Sequence, residues 1–187
     1  MIREMPRPSD ETSVLMVPGY TNSGPQHWQS LWEYAHPEYK RVNQRDWDQP
    51  QLTEWVETLD RAISEAPGRI VLVAHSLGCM TVAKWAGKHS REISGALLVA
   101  PADPELPLWP ENIKEFAPIP LVKLPFRNIL VASSNDAFLS LERARVFARA
   151  WGSELVDIGQ AGHVATADGY GSWPQGEHFL RKLITYP

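Results

Sequence analysis

Short runs of aliphatic and β-branched residues alternate along the chain with segments of helical periodicity. The clearest run is 70–74, which is continuously apolar, as is typical of a strand buried on both faces of a parallel sheet. The clearest helical segment is 52–63, where apolar residues recur at i, i+3, i+4, i+7 and i+11. This alternation indicates βαβ units, in which a helix crosses between parallel strands. It predicts an α/β fold.

The pattern predicts a six-stranded, parallel, doubly wound sheet with helices on both faces. The predicted strands are 13–17, 39–43, 70–74, 96–100, 128–132 and 154–158. The predicted helices are 25–35, 52–63, the segment after residue 76, 141–151 and 174–184. We expect a single domain over 1–187, with a flexible N-terminus at 1–11.

One segment interrupts the alternation. Residues 101–127 contain seven of the 16 prolines, and each proline removes a backbone donor and restricts the residue before it. A long helix is therefore excluded there. We expect an irregular excursion near the carboxyl edge of the sheet, where ligands bind in open α/β folds, and no cap domain.

Composition limits the partners and the compartment. Lysine and arginine are scattered and the net charge is −4, so no basic face for nucleic acid is expected. The N-terminus lacks the apolar core of a signal peptide, and no apolar run is long enough to span a bilayer. A single cysteine, Cys79, excludes an internal disulfide. We expect a cytoplasmic protein with no membrane contact.

The run 70–74 leads into the string Ala-His-Ser-Leu-Gly, centred on Ser76. A serine on a tight strand-to-helix turn, with small residues two positions before and after it, is the pattern of a nucleophile elbow. Here those residues are Ala74 and Gly78, where the usual pattern has glycine at both positions. The string alone is weak evidence, but its place between a buried strand and a helix favours a nucleophilic Ser76.

A serine nucleophile needs a base and a carboxylate that orients the base. The order Ser, Asp or Glu, then His is expected in this architecture, each residue following a strand. Asp136 follows the fifth predicted strand and His163 the sixth, which predicts a triad with Ser76. Asp103, after the fourth strand, is the competing candidate for the acid.

The chemistry also needs two N–H groups for a developing oxyanion. One belongs to the residue after the nucleophile, Leu77, and the other to the loop after the first strand. In that loop Gly19 lets the backbone turn toward the site, and we assign the second donor to Tyr20.

The strings VPGYTNSGPQHWQSLWE, AHSLG, SSNDAF and AGH, with Trp47 and Trp55, resemble the small α/β-hydrolase-fold serine hydrolases related to YdeN and to retinoblastoma-binding protein nine. The resemblance covers nearly the whole chain, from about residue 14 to residue 179. It implies a compact α/β-hydrolase core without the first two strands of larger relatives. It also implies Ser76, Asp136 and His163 as the triad.

The animal relative is named for a retinoblastoma partner, contacted through an L-x-C-x-E string. In this chain the matching string is Leu-Gly-Cys-Met-Thr at 77–81, so Thr81 stands at the position of the glutamate. No contact of that type is expected.

Other residues are weaker candidates. Substrate contacts are considered for four of them, His27, Trp28, His75 and Trp173, although packing is the favoured interpretation for His27, Trp28 and His75. Cys79 is expected to be inert core. No metal site and no cofactor are predicted.

The predicted function is hydrolysis of small acyl substrates, most simply carboxylic esters, through an acyl-enzyme on Ser76. A thioesterase, peptidase or acyltransferase would use the same triad, and these alternatives stay open. A binding module of the hydrolase fold with a vestigial triad is the alternative from another class.

Overall fold

A computed structural model describes residues 11–185 of the protein. The elements follow in the order β1 Thr12–Val17, α1 Trp28–Ala35, β2 Lys40–Arg41, α2 Leu52–Glu65, β3 Arg69–His75, α3 Leu77–Lys88, β4 Gly95–Val99, α4 Glu111–Lys114, β5 Arg127–Ala132, α5 Leu141–Trp151, β6 Glu154–Asp157 and α6 Pro174–Ile184. The predicted flexible segment 1–11 lies outside the described residues except for Glu11.

The six strands form one sheet in the order β2-β1-β3-β4-β5-β6, and every neighbouring pair is parallel. The predicted six-stranded parallel sheet is therefore confirmed. The chain first moves outward from β1 to β2 and then returns to place β3 on the other side of β1. The carboxyl ends of β1 and β3 thus meet at a topological switch point, where α/β sheets open a crevice.

Helices cover both faces of the sheet, as the alternation predicted. Along β1, Leu15 and Val17 face the core under α2, α3 and α5, whereas Val14 and Met16 face the core under α1 and α6. This division follows from the period of two in a strand. Within residues 11–185 no helical cap domain is added to the two layers.

Two elements are clearly shorter than predicted. Helix α1 begins at Trp28 rather than near Pro25, because the His27 side chain accepts a hydrogen bond from the Gln29 N–H and caps the helix there. The second strand is shortened from 39–43 to two residues, and it lies at the edge of the sheet, where one side has no partner.

The proline-rich segment 101–127 joins β4 to β5. Its helix α4 has four residues. Phe116 and Ile119 are buried against the core under α3 and α5, so the segment is packed although it is irregular. Within residues 11–185, no helix combines the length and the hydrophobicity needed to cross a bilayer.

The start of α3 presses against the end of β1. A Cβ on Gly78 would lie 2.1 Å from the Val17 carbonyl oxygen and 2.8 Å from the Pro18 carbonyl oxygen. Both neighbours are backbone, so neither can rotate away. Only glycine fits at this position without moving β1 or α3.

We expect Gly78→Ala to lower the free energy of unfolding by about 2–3 kcal/mol, because the added methyl group forces the two backbones apart. Gly87→Ala, in the same helix but with nothing within 4 Å of the added Cβ, is the matched control. It should raise the free energy of unfolding by about 0.5–1 kcal/mol. Urea denaturation measures both, and equal stabilities of the two variants would contradict the contact.

Candidate active site

Ser76 lies in a sharp turn between β3 and α3. Its backbone has φ 57° and ψ −124°, a region that non-glycine residues rarely occupy. The Ser76 N–H donates a hydrogen bond of 3.1 Å to the Val99 carbonyl, which fixes the turn to β4. A strained strand-to-helix turn of this kind presents a hydroxyl at the carboxyl edge of the sheet, as in a nucleophile elbow.

The structure brings His163 and Asp136 to this serine. His163 Nε2 lies 2.8 Å from Ser76 Oγ. His163 Nδ1 lies 3.0 and 2.9 Å from the two carboxylate oxygens of Asp136. The Asp136 side chain is 1% exposed and also accepts a hydrogen bond of 2.8 Å from the Phe138 N–H. The carboxylate therefore holds Nδ1 as a donor and leaves Nε2 free to accept the serine proton.

Asp103, the competing candidate for the acid, is directed elsewhere. One of its carboxylate oxygens accepts a hydrogen bond of 2.9 Å from Arg143 Nε, and the other accepts one of 3.0 Å from the Glu105 N–H. Arg143 also contacts the Glu105 carboxylate. Asp103 thus ties the loop after β4 to α5 and makes no hydrogen bond to His163.

The loop that carries His163 is held by a residue that the sequence analysis missed. Asp168 Oδ2 accepts hydrogen bonds from the His163 N–H at 2.9 Å and from the Ala165 N–H at 3.2 Å. Gly162 has φ 58°, and a Cβ there would overlap the Asp168 carboxylate. No sequence pattern identifies Asp168, because its role depends on a loop that folds back over five residues.

The two predicted oxyanion donors lie in the two turns at the switch point, Tyr20 after β1 and Leu77 after β3. Among residues 11–185, neither the Tyr20 N–H nor the Leu77 N–H has a hydrogen-bond acceptor. A Cβ on Gly19 would lie 2.8 Å from Ser76 Cβ and 2.9 Å from the Leu77 nitrogen, so the loop after β1 touches the elbow. Unpaired N–H groups next to a serine hydroxyl are suited to binding a negatively charged oxygen.

The loop after β1 is strained and is anchored by Arg41. Thr21 and Asn22 have φ 62° and 65°, which is unusual for a β-branched residue such as Thr21. Arg41 Nη1 donates to Asn22 Oδ1 and to the Ser23 carbonyl, both at 2.9 Å. Its other nitrogens bind both carboxylate oxygens of Glu33. This network holds the loop against the elbow.

A cavity of about 350 Å³ opens beside Ser76 and His163. Tyr20, Thr21 and Asn22 form part of its wall. Trp109, from the proline-rich segment, and Phe138 form an apolar part, with their rings stacked at 5.0 Å between centroids. The Phe138 ring also lies edge-on to His163, at 4.6 Å. The Ser76 and His163 side chains thus lie at the edge of a small, partly apolar cavity.

Two further histidines line this cavity. His75 Nε2 lies 2.9 Å from the backbone carbonyl of His163, and burial lowers the pKa of His75 well below its usual value. Burial, aided by the charge of Arg41, lowers the pKa of His27 to about 4. Both rings are therefore neutral near pH 7.

Trp28 and Trp173 require a correction, because neither lines the cavity. Trp28 is 0% exposed, and its Nε1 donates a hydrogen bond of 2.9 Å to the Val164 carbonyl. The Trp173 ring packs on it at 5.1 Å, in the core under α1 and α6. Both residues pack in the core, and the substrate contacts considered for them are not supported by the lining of the cavity.

Cys79 is also core: it is 0% exposed, and burial raises the pKa of its thiol. Within the described part of the chain, the Glu57, Asp60 and His89 side chains lie close enough together to hold a metal ion. Lys88 and Arg91 already bind these two carboxylates, at 2.5 and 2.9 Å. The residues around Ser76 do not form such a cluster.

Comparison with known proteins places this geometry in context. The model of the serine hydrolase family matches residues 14–182. A crystal structure assigned as a YdeN-like hydrolase from Pectobacterium atrosepticum is 34% identical, with a TM-score of 0.84, over 95% of this chain and 92% of that chain. No curated protein matches the sequence.

More distant structures share the fold. The ydeN gene product of B. subtilis is 22% identical, with a TM-score of 0.81, over 94% of this chain and 100% of that chain. Est1E from Butyrivibrio proteoclasticus is 12% identical, with a TM-score of 0.65, over 94% of this chain and 88% of that chain. The sheet and its helices are thus those of the α/β-hydrolase core.

The buried neutral histidine at position 27 should make stability depend on pH. Unfolded His27 binds a proton below about pH 6.5, whereas the folded protein does so only near pH 4. Between these values the unfolded state holds more protons, so acid favours unfolding. We expect His27 to contribute a loss of about 3 kcal/mol in the free energy of unfolding from pH 6.5 to pH 4.

Urea denaturation at a series of pH values measures this loss. The pH dependence should be weaker in His27→Asn, which keeps an acceptor for the helix cap but has no group that titrates there. The same substitution at the exposed His178 is the matched control. If the free energy of unfolding of His27→Asn depends on pH as steeply as that of the wild-type protein, the lowered pKa of His27 is contradicted.

Proposed function

Because this chain belongs to the serine hydrolase family and is a small hydrolase of the YdeN type, we propose that it hydrolyses small carboxylic esters through an acyl-enzyme on Ser76. The observation that carries the proposal is the unbroken hydrogen-bonded chain from Ser76 through His163 to Asp136. Its position beside two unpaired N–H groups supports acyl transfer in particular.

In the first half of the reaction Ser76 Oγ attacks the ester carbonyl carbon while His163 Nε2 takes the hydroxyl proton. The carbonyl oxygen becomes negatively charged and accepts hydrogen bonds from the Leu77 and Tyr20 N–H groups. The intermediate then collapses, the bond to the alcohol oxygen breaks, and His163 returns its proton to the leaving alcohol.

In the second half, water replaces the alcohol. His163 Nε2 removes a proton from the water, whose oxygen attacks the acyl carbon, and the proton is returned to Ser76 Oγ as the acid leaves. Asp136 stays ionised throughout, orients the ring and stabilises the imidazolium. The steps use neither a metal nor a cofactor.

The shape of the site supports small substrates. The cavity has a volume of about 350 Å³, and part of its wall is the packed pair of Trp109 and Phe138. Sites for drug-sized ligands are usually of about this size or larger. Thioester, amide and acyl-transfer chemistry would use the same groups. A cytoplasmic location stays a prediction.

A fluorophosphonate probe tests the nucleophile, because it reacts only with an activated serine. We expect labelling at one site in the wild-type protein, loss of labelling in Ser76→Ala, and nearly full labelling in Cys79→Ala, the matched control. Intact-mass measurement reads out the adduct. A binding module with a vestigial triad would give no adduct in the wild-type protein, and stoichiometric labelling of Ser76→Ala would contradict the elbow.

Two aspartate variants test the acid. Asp136→Asn should lower kcat by about 10²–10⁴, because an amide no longer fixes the His163 tautomer or stabilises the imidazolium. Asp103→Asn should change kcat less than about tenfold, since Asp103 binds Arg143 rather than His163. Thermal melting verifies that both variants are folded before rates on p-nitrophenyl acetate are compared. If Asp103→Asn lowers kcat more than Asp136→Asn does, Asp103 rather than Asp136 is the carboxylate that orients His163.

A further inference from the structure

His27 carries a hydrogen-bond donor that has no acceptor. The side chain is 6% exposed, and its Nδ1 accepts a hydrogen bond of 3.2 Å from the Gln29 N–H, so the proton of the neutral ring is on Nε2. This Nε2 is buried and has no partner within the described residues. A buried donor without an acceptor is costly, and such a group in a native protein calls for an explanation, such as a role in the chemistry of the site or a bound water.

His75 carries the complementary group. A carbonyl oxygen can only accept, so His75 Nε2 must donate to the His163 carbonyl that lies 2.9 Å away. The neutral ring then has a bare lone pair on Nδ1, and no donor in residues 11–185 binds it. The two rings lie 4.8 Å apart between centroids, and both line the cavity beside Ser76.

A neighbouring donor and acceptor discriminate between substrate groups. A hydroxyl satisfies both, because its oxygen accepts from His27 and its proton is donated to His75. An ammonium group has only donors and would leave His27 unpaired. A ketone or a carboxylate has only acceptors and would meet the lone pair of His75. Of these four groups, only the hydroxyl is complementary to both histidines.

We propose that the natural substrates are small esters that carry a hydroxyl group, which His27 Nε2 and His75 Nδ1 bind together. The proposal rests on the proposed ester hydrolysis at Ser76 and makes the two histidines specificity-determining residues. Because His27 Nε2 is buried although the residue lines the cavity, the contact requires a small rotation of that ring as the substrate enters.

Matched esters test the proposal. Ethyl 3-hydroxybutyrate, ethyl butyrate and ethyl 3-oxobutyrate place a hydroxyl, hydrogen or a ketone at one position of the acyl group. 2-Hydroxyethyl butyrate and propyl butyrate compare a hydroxyl with a methyl group at one position of the alcohol. In one of the two series we expect kcat/KM to be at least about tenfold higher for the hydroxylated ester than for the ester that lacks the hydroxyl. In the acyl series the ketone should be a poorer substrate than the hydroxylated ester. Acid release in a pH-stat measures each rate.

Two variants of His27 test whether this residue produces the preference for hydroxylated esters. His27→Asn keeps an acceptor for the Gln29 N–H but removes the donor at the Nε2 position, and the hydroxyl preference should fall to within about threefold of unity. His27→Gln places an amide N–H near that position and should keep part of the preference. His178→Asn, on the exposed face of α6, is the matched control and should keep all of it.

The outcomes separate the two proposals. Hydrolysis that depends on Ser76 but shows no hydroxyl preference in either series would overturn this inference and leave the ester hydrolase standing. A full preference in folded His27→Asn would also overturn it, because His27 would not be the donor. Absence of both probe labelling and ester turnover in the wild-type protein would overturn the two proposals together.

Discussion

The contact between the end of β1 and the start of α3 is the constraint on which the rest of the site depends. Gly78 lies against the Val17 carbonyl, and Gly19 lies against Ser76, with no room for a Cβ at either position. These contacts bring together the two turns that carry the unpaired N–H groups of Leu77 and Tyr20. They also explain why the order of β1 and β3 in the sheet matters: a strand inserted between them would separate Ser76 from the loop that carries the Tyr20 N–H.

Three histidines in contact have different chemistry because their surroundings differ. The His27 and His75 rings are 4.8 Å apart, and the His75 and His163 rings are 4.9 Å apart. Burial keeps the first two neutral, and their nitrogens bind backbone groups. Only His163 has a carboxylate at Nδ1 and a hydroxyl at Nε2. One residue type thus supplies the proposed base, His163, and two uncharged polar side chains of the cavity wall.

The sequence predicted the sheet and the positions of Ser76, Asp136 and His163 at its carboxyl edge, because apolar periodicity and the order of strands are local signals. It did not locate groups whose role depends on how distant loops meet. Asp168 holds the His163 backbone, and Trp109 reaches the cavity from a segment without regular structure. Trp28 stands beside His27 in the sequence, but consecutive side chains on a helix point in different directions, and Trp28 turns toward the core rather than the cavity.

The spacing of the reacting groups along the chain has a consequence for folding. Ser76 and His163 are 87 residues apart, and the whole sheet is parallel, so the bond between them closes only after several long crossovers have formed. During synthesis the ribosome releases the elbow well before the histidine loop exists. A chain arrested between Asp136 and β6 would hold Ser76 and Asp136 without His163. The reactivity proposed for Ser76 is therefore expected late in folding, and labelling of Ser76 in a nascent chain would report that β6 and the loop behind it have docked.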